Sequence, residues 1–185
     1  MSVPGFQDLM LPLLQLASDG KEHSLAEARP LLASRLGLTA EDVAQLLPSG
    51  RQTVFANRTA WAKIYLQRAG LLSSSRRGHF QITPRGRTLL GEKLARIDIR
   101  VLDRFPEFVE FRTKKDSDET DAAQEHVENA ATPEETLESA YQRLRKDLAT
   151  ELLERVKKSS PAFFEELVVA LLLKMGYGGS RQDAG

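Results

Sequence analysis

The amino-acid sequence predicts a mainly α-helical protein with one small β-hairpin, on three observations. Apolar residues recur at helical spacing through most of the 185 residues. Two short runs, Leu71 to Ser75 and His79 to Thr83, bracket an Arg76-Arg77-Gly78 turn, and the alternation of Phe80 with Ile82 suits a half-buried hairpin strand. Charge is segregated as well: Arg51 to Arg87 holds eight arginines and lysines and no carboxylate, whereas Asp116 to Glu138 holds nine acids and no arginine or lysine. The 26 basic and 26 acidic residues of the chain cancel, yet such a one-sign surface can grip a polyanion.

Phe6, Leu9, Met10, Leu13, Leu14 and Ala17 share one helical face, so a helix is expected from about Pro4 to Ser18, with Asp19-Gly20 as its stop and Pro12 as a point of kinking. Ser24 and Glu27 have capping-box spacing and open a second helix toward Leu36 and Gly37, which Pro30 interrupts. Thr39 caps a short third helix carrying Val43, Leu46 and Leu47, and Pro48-Ser49-Gly50 ends it.

A central helix is expected from about Gln52 to Ala69. Val54, Phe55, Trp61, Ala62, Tyr65, Leu66 and Ala69 project to one side as core, and Gln52, Ala56, Lys63 and Gln67 to the other as a free face. Arg58 falls on the apolar side and reads as a structural arginine, its stem packed and its head on carbonyls or an acid, rather than as a base reader. Past the hairpin, Thr83-Pro84 starts a helix that Leu89, Leu90, Leu94, Ile97 and Val101 continue, with a break near Asp98 and an end at Phe105-Pro106. Phe105, Phe108 and Phe111 are expected to pack on the core rather than to stack on bases. Gly78 serves the turn.

Helices, a two-stranded hairpin and a further helix are the ingredients of a winged helix-turn-helix domain, placed at residues 1–112. In that arrangement the helix before the wing enters the major groove and the wing lies along phosphate or minor groove. The DNA-binding set is then Gln52, Lys63, Gln67, Arg68, Arg76, Arg77 and Arg85, since glutamine can read adenine and the cations can hold phosphate or guanine.

Residues 113–138 read as an acidic linker, disordered to about Ala131. Thr132-Pro133-Glu134-Glu135 is a helix start with acids in its first turn, and Leu137, Tyr141, Leu144, Leu148, Leu152 and Val156 carry that helix to Lys157-Lys158. Ser160-Pro161 opens the last helix, whose expected buried stripe is Phe164, Leu167, Val168, Leu171, Leu172 and Met175, with Gly176 as its cap. A buried-looking helix with no sheet to receive it makes residues 139–185 a connecting helix and the opening of a truncated α/β domain.

With 41% hydrophobic and 28% charged residues, the composition is that of soluble globular protein. The absence of cysteine excludes disulfides and thiolate metal sites. Neither a signal peptide nor a run of the ~20 apolar residues needed to span a bilayer is present, so a cytoplasmic protein without a membrane partner is expected. His23, His79 and His126 are scattered, and Gly176 to Gly179 lacks the lysine and hydroxyl of a phosphate loop; no cofactor is implied by this chain itself.

Asn57-Arg58, Trp61-Ala62, Tyr65-Leu66, Ala69-Gly70-Leu71-Leu72, Ile82-Thr83 with Gly86, Ile97-Asp98 and Phe105-Pro106-Glu107-Phe108 resemble the N-terminal domain of Mrr-type restriction endonucleases, from about Pro4 to Arg112. Pro161-Ala162-Phe163-Phe164-Glu165-Glu166-Leu167-Val168 through Met175-Gly176-Tyr177-Gly178-Gly179 is similar to the first helix of their catalytic domain. The resemblance implies metal-dependent cleavage of foreign, methylated DNA by a nuclease core of the Asp, Gln-x-Lys type, with Mg²⁺ as the cofactor of the complete nuclease. Of that site this chain matches only Glu165, a residue that in a first helical turn also has a structural explanation. Asp183 does not stand in the family's catalytic context. The resemblance therefore implies a polypeptide that binds double-stranded DNA as the targeting part of a restriction system and does not cut it. The alternative is a winged-helix transcriptional regulator whose tail dimerises, so a homo-oligomer is compatible with either reading.

Overall fold

The computed structural model describes residues 3–116 and 131–177. Two compact units divide the chain, Met1–Glu138 and Ser139–Gly185.

The first unit begins with α1 (Phe6–Leu16), which starts after Gly5, so Pro4 precedes the helix instead of opening it. Asp8 accepts the Gly5 amide at 3.2 Å, and a short 3-10 turn, Ala17–Asp19, ends the segment. All six apolar residues of the expected face are buried. Strand β1 (His23–Ser24) leads into α2 (Leu25–Arg35), where Ser24 and Glu27 make both bonds of a capping box; α3 (Ala40–Ala44) is boxed in the same way by Thr39 and Asp42. Pro12 and Pro30 both lie inside their helices, so Pro30 does not interrupt α2.

The central helix α4 runs Val54–Arg68, with Thr53 as its N-cap. Before it, Leu46 bridges to Thr53 and the Leu47 amide donates to the Gln52 carbonyl at 3.0 Å. Gln52 therefore belongs to the tight connection before α4 and not to the helix, because the Thr53 hydroxyl, accepting from the Ala56 amide at 3.2 Å, sets the start. Strands β2 (Leu72–Ser73) and β3 (His79–Ile82) form the expected hairpin, with Leu72 opposite Ile82 and Ser73 opposite Gln81. Gly78 in its turn has φ +80°, a conformation that favours glycine. The hairpin acquires a third, antiparallel strand, since His23 pairs with Phe80 and Ser24 with His79, giving the order β1-β3-β2. Two residues carry no periodic signal, so only tertiary pairing reveals β1.

Thr83 caps α5 (Pro84–Gly91) through the Gly86 amide. The helix expected there, with its break near Asp98, is in fact two, and the first of them stops well before that break. Helix α5 ends at Gly91, Lys93 takes a left-handed φ of +53°, and Asp98 caps a new short helix, α6 (Ile99–Leu102). Phe105-Pro106 does not end the run but opens α7 (Pro106–Asp116), since proline suits a first helical turn. Helix α7 thus extends into the span read as linker. Residues 117–130, including the segment expected to be disordered and His126, lie outside the described residues.

The core gathers α1, α4 and the sheet around fully buried Phe6, Phe55, Phe80 and Phe108. The Tyr65 ring joins Phe6, Trp61, Phe108 and Phe111, with centroids 5.0, 5.8, 5.5 and 6.3 Å away. Phe105, Phe108 and Phe111 therefore pack on the core, as their spacing predicts.

Helix α8 (Pro133–Lys158) begins in the first unit and continues into the second, which also holds α9 (Pro161–Lys174). The expected buried stripe of α9 is not buried: Phe164, Leu171 and Met175 are 52, 52 and 63% exposed. Periodicity identifies an apolar face but cannot say what covers it. Gly178, Gly179 and Asp183 lie outside the described residues.

Candidate nucleic-acid interface

The eight basic residues of the 51–87 stretch fall into two groups once the fold is closed. Three are neutralised by carboxylates from elsewhere. Arg58 meets Glu135 at 2.7 Å, Arg76 meets Glu22 at 3.3 Å, and Arg85 meets Glu107 at 3.0 Å. Arg51, Lys63, Arg68, Arg77 and Arg87 make no ion pair among the described residues. A sequence count could not separate these groups, because every partner is distant in the chain.

Arg58 behaves as its place on the apolar side predicts. Its guanidinium donates to the Val3 and Pro4 carbonyls and, in a fork, to both oxygens of Glu135. Arg85 is likewise engaged: it donates to the Ala69 carbonyl and to both Glu107 oxygens, and it lies over the Phe105 ring at 5.4 Å. The Glu107 hydrogen bonds and charge raise the Arg85 pKa, and the same contact lowers that of Glu107. This occupied geometry makes Arg85 a bracket between α5 and α7.

Lys63 departs from expectation. It lies on α4 as foreseen, but it is only 8% exposed and makes no hydrogen bond or ion pair among the described residues. The helix wheel assigned it to a free face; neighbouring elements cover that face more than a wheel can register. Burial alone lowers its pKa. Gln67 beside it is half-buried, Gln52 and Arg51 are exposed in the connection before α4, and Arg68 is exposed with its guanidinium 4.7 Å over the Phe111 ring.

The hairpin turn carries Arg76 and Arg77, both exposed. Glu22 holds the turn from the side by accepting from the Ser75 hydroxyl and from Arg76, and these contacts lower its pKa, the Ser75 bond most. Among the described residues, Arg77 at the tip makes no ion pair. The hairpin is braced internally as well, for the Ser74 hydroxyl bonds the His79 carbonyl at 2.6 Å.

Glu165 is exposed on α9. Ser160 is the N-cap, so Glu165 is the fifth helical residue and lies beyond the first turn, which removes the dipole explanation for it. Among the described residues no three histidines or carboxylates come together as metal ligands.

Sequence reasoning also missed the polar cluster at the start of α8. Asn57, 2% exposed, binds Thr132 and Glu134 through its side-chain amide, and the Trp61 indole donates to Glu134. The available signal was Asn57 itself, an amide on the core-facing side of a helix, which demands partners once buried.

Residues 6–92 match the Mrr N-terminal domain, so this first unit is built on that domain. It is 31% identical over 198 aligned positions to the Type IV methyl-directed restriction enzyme EcoKMrr of Escherichia coli (strain K12). That alignment takes in 99% of this chain and 62% of the relative, so the chain spans less than two thirds of the relative's length. No solved structure matches it. Among the described residues, no helix is long and apolar enough to cross a membrane.

Proposed function

We propose that this chain binds duplex DNA as the targeting part of a restriction system directed at modified DNA. The fold is read as a winged helix, with α4 as the groove helix and the β2–β3 turn as the wing. The observation that carries the reading is Arg77, exposed at the tip of a braced hairpin and without an ion pair among the described residues, on the same unit as Lys63, a largely buried lysine with no counter-ion among them. Arg77 can gain an anionic partner from a phosphate. Gln52, Gln67 and Arg68 complete the contact set; Arg85, held by Glu107, is left out of it.

The methyl-directed name of the relative supports modified DNA as the target. Glu165 is the one residue here that matches the family's nuclease pattern, so the 185-residue chain is proposed to bind and not cut. Fluorescence titration of labelled duplex at several salt concentrations tests the binding. Arg76→Ala with Arg77→Ala is expected to weaken it on all sequences and to lower the salt slope by about one to two. Unchanged affinity at low salt refutes the wing assignment. Substitution of Lys63 or Gln67 is expected to change the methylated-to-unmethylated ratio, and an unaltered ratio refutes discrimination by α4. Reproducible nicking of methylated plasmid with Mg²⁺, free of contaminating nuclease, refutes binding without cleavage.

A further inference from the structure

Side-chain hydrogen bonds tie the first turn of α8 to α4. Thr132, fully buried, donates from its hydroxyl to the Asn57 amide oxygen at 2.5 Å. The Asn57 amide nitrogen donates to Glu134 at 3.2 Å, and the same Glu134 oxygen accepts from the Trp61 indole. Glu135 takes the Arg58 fork and accepts the Thr132 amide at 2.8 Å, so it caps its own helix and grips its neighbour at once. Arg58 and Glu135 are 19 and 13% exposed, so the pair is shielded from solvent screening.

Three residues along one side of α4, Asn57, Arg58 and Trp61, thus hold Thr132, Glu134 and Glu135 at the root of a helix that runs on into the second unit. Lys63 and Gln67 belong to another side of α4. We infer that Asn57 and Arg58 are positioning residues that couple DNA contact at α4 to the root of α8, an inference that rests on the DNA-binding reading above. DNA held on α4 suppresses local opening of that helix, and the root of α8, which opens with it, is stabilised. Coupling of this kind is reciprocal, so breaking the latch weakens DNA binding although no latch residue touches DNA.

The test uses the full chain, a labelled duplex and hydrogen–deuterium exchange of residues 131–140. In the wild type, DNA is expected to slow exchange there. In Glu134→Ala with Glu135→Ala, that segment is expected to exchange quickly with or without DNA, and affinity to fall about five-fold or more. Thr132→Val, which keeps both carboxylates, should move the same readouts in the same direction by less. If the double variant loses its helical circular dichroism, the comparison in Thr132→Val decides. A wild type that does not bind DNA at low salt overturns the DNA reading and the coupling together. A wild type that binds, while residues 131–140 exchange at one rate with and without DNA, overturns the coupling alone, as do variants of unchanged affinity.

Discussion

Arg85 grips Glu107 through two hydrogen bonds of 3.0 Å each, and this fork joins the start of α5 to the start of α7. It takes one guanidinium out of a stretch that in sequence looks uniformly available. Arg85→Ala is therefore expected to leave the salt slope of DNA binding unchanged, whereas Arg77→Ala lowers it by about one. Parallel titrations of the two variants check this, and an equal fall in slope for both returns Arg85 to the interface.

Glu22 restrains the wing through Ser75 and Arg76. Glu22→Gln removes the competing charge and keeps a side chain able to accept from Ser75. Duplex affinity is expected to rise about two- to five-fold, the range for an exposed ion pair. Weaker binding in the same titration excludes Glu22 as a competitor for the wing arginine.

Gly86 has no room for a methyl group. A Cβ there would lie 2.3 Å from the Leu71 carbonyl oxygen and 2.8 Å from Ile82 Cγ1, where α5 crosses the strands. Gly86→Ala is expected to cost about 1–3 kcal/mol in urea unfolding, as overpacking does. Gly91→Ala, with open space around it, is expected to be neutral or slightly stabilising. Equal melting temperatures for the two variants would contradict this packing.

Lys63 carries its charge at a cost. Its folded pKa lies below its ordinary value, so between the folded and unfolded values the unfolded chain binds more protons and stability rises with pH. At neutral pH both states are charged and the full cost is present. Lys63→Met is expected to be at least as stable as the wild type at neutral pH, to lack the wild type's gain in the alkaline range, and to bind DNA more weakly. Urea unfolding at pH 7 and at about pH 10 measures the first two, the latter near the ordinary lysine pKa. A variant less stable at pH 7 would show that Lys63 stabilises the fold.

The sequence by itself determined the helix boundaries that rest on local chemistry. Ser24 with Glu27, Thr39, Thr83-Pro84 and Ser160-Pro161 start helices where their caps say, because a cap and the amides it satisfies lie within four residues. The hairpin with its Arg76-Arg77-Gly78 turn and the core face of α4 were legible for the same reason: their periods are short. The break at Gly91 and Lys93 was not, since an apolar pattern continues through it. Tertiary structure alone decided which cations are free. Glu22, Glu107 and Glu135 come from outside the basic stretch, up to 77 residues away in the case of Glu135. It also covered Lys63, added β1 to the sheet and tied Thr132 to Asn57. Charge and burial act through space, and linear separation carries no record of which carboxylate will arrive beside which guanidinium.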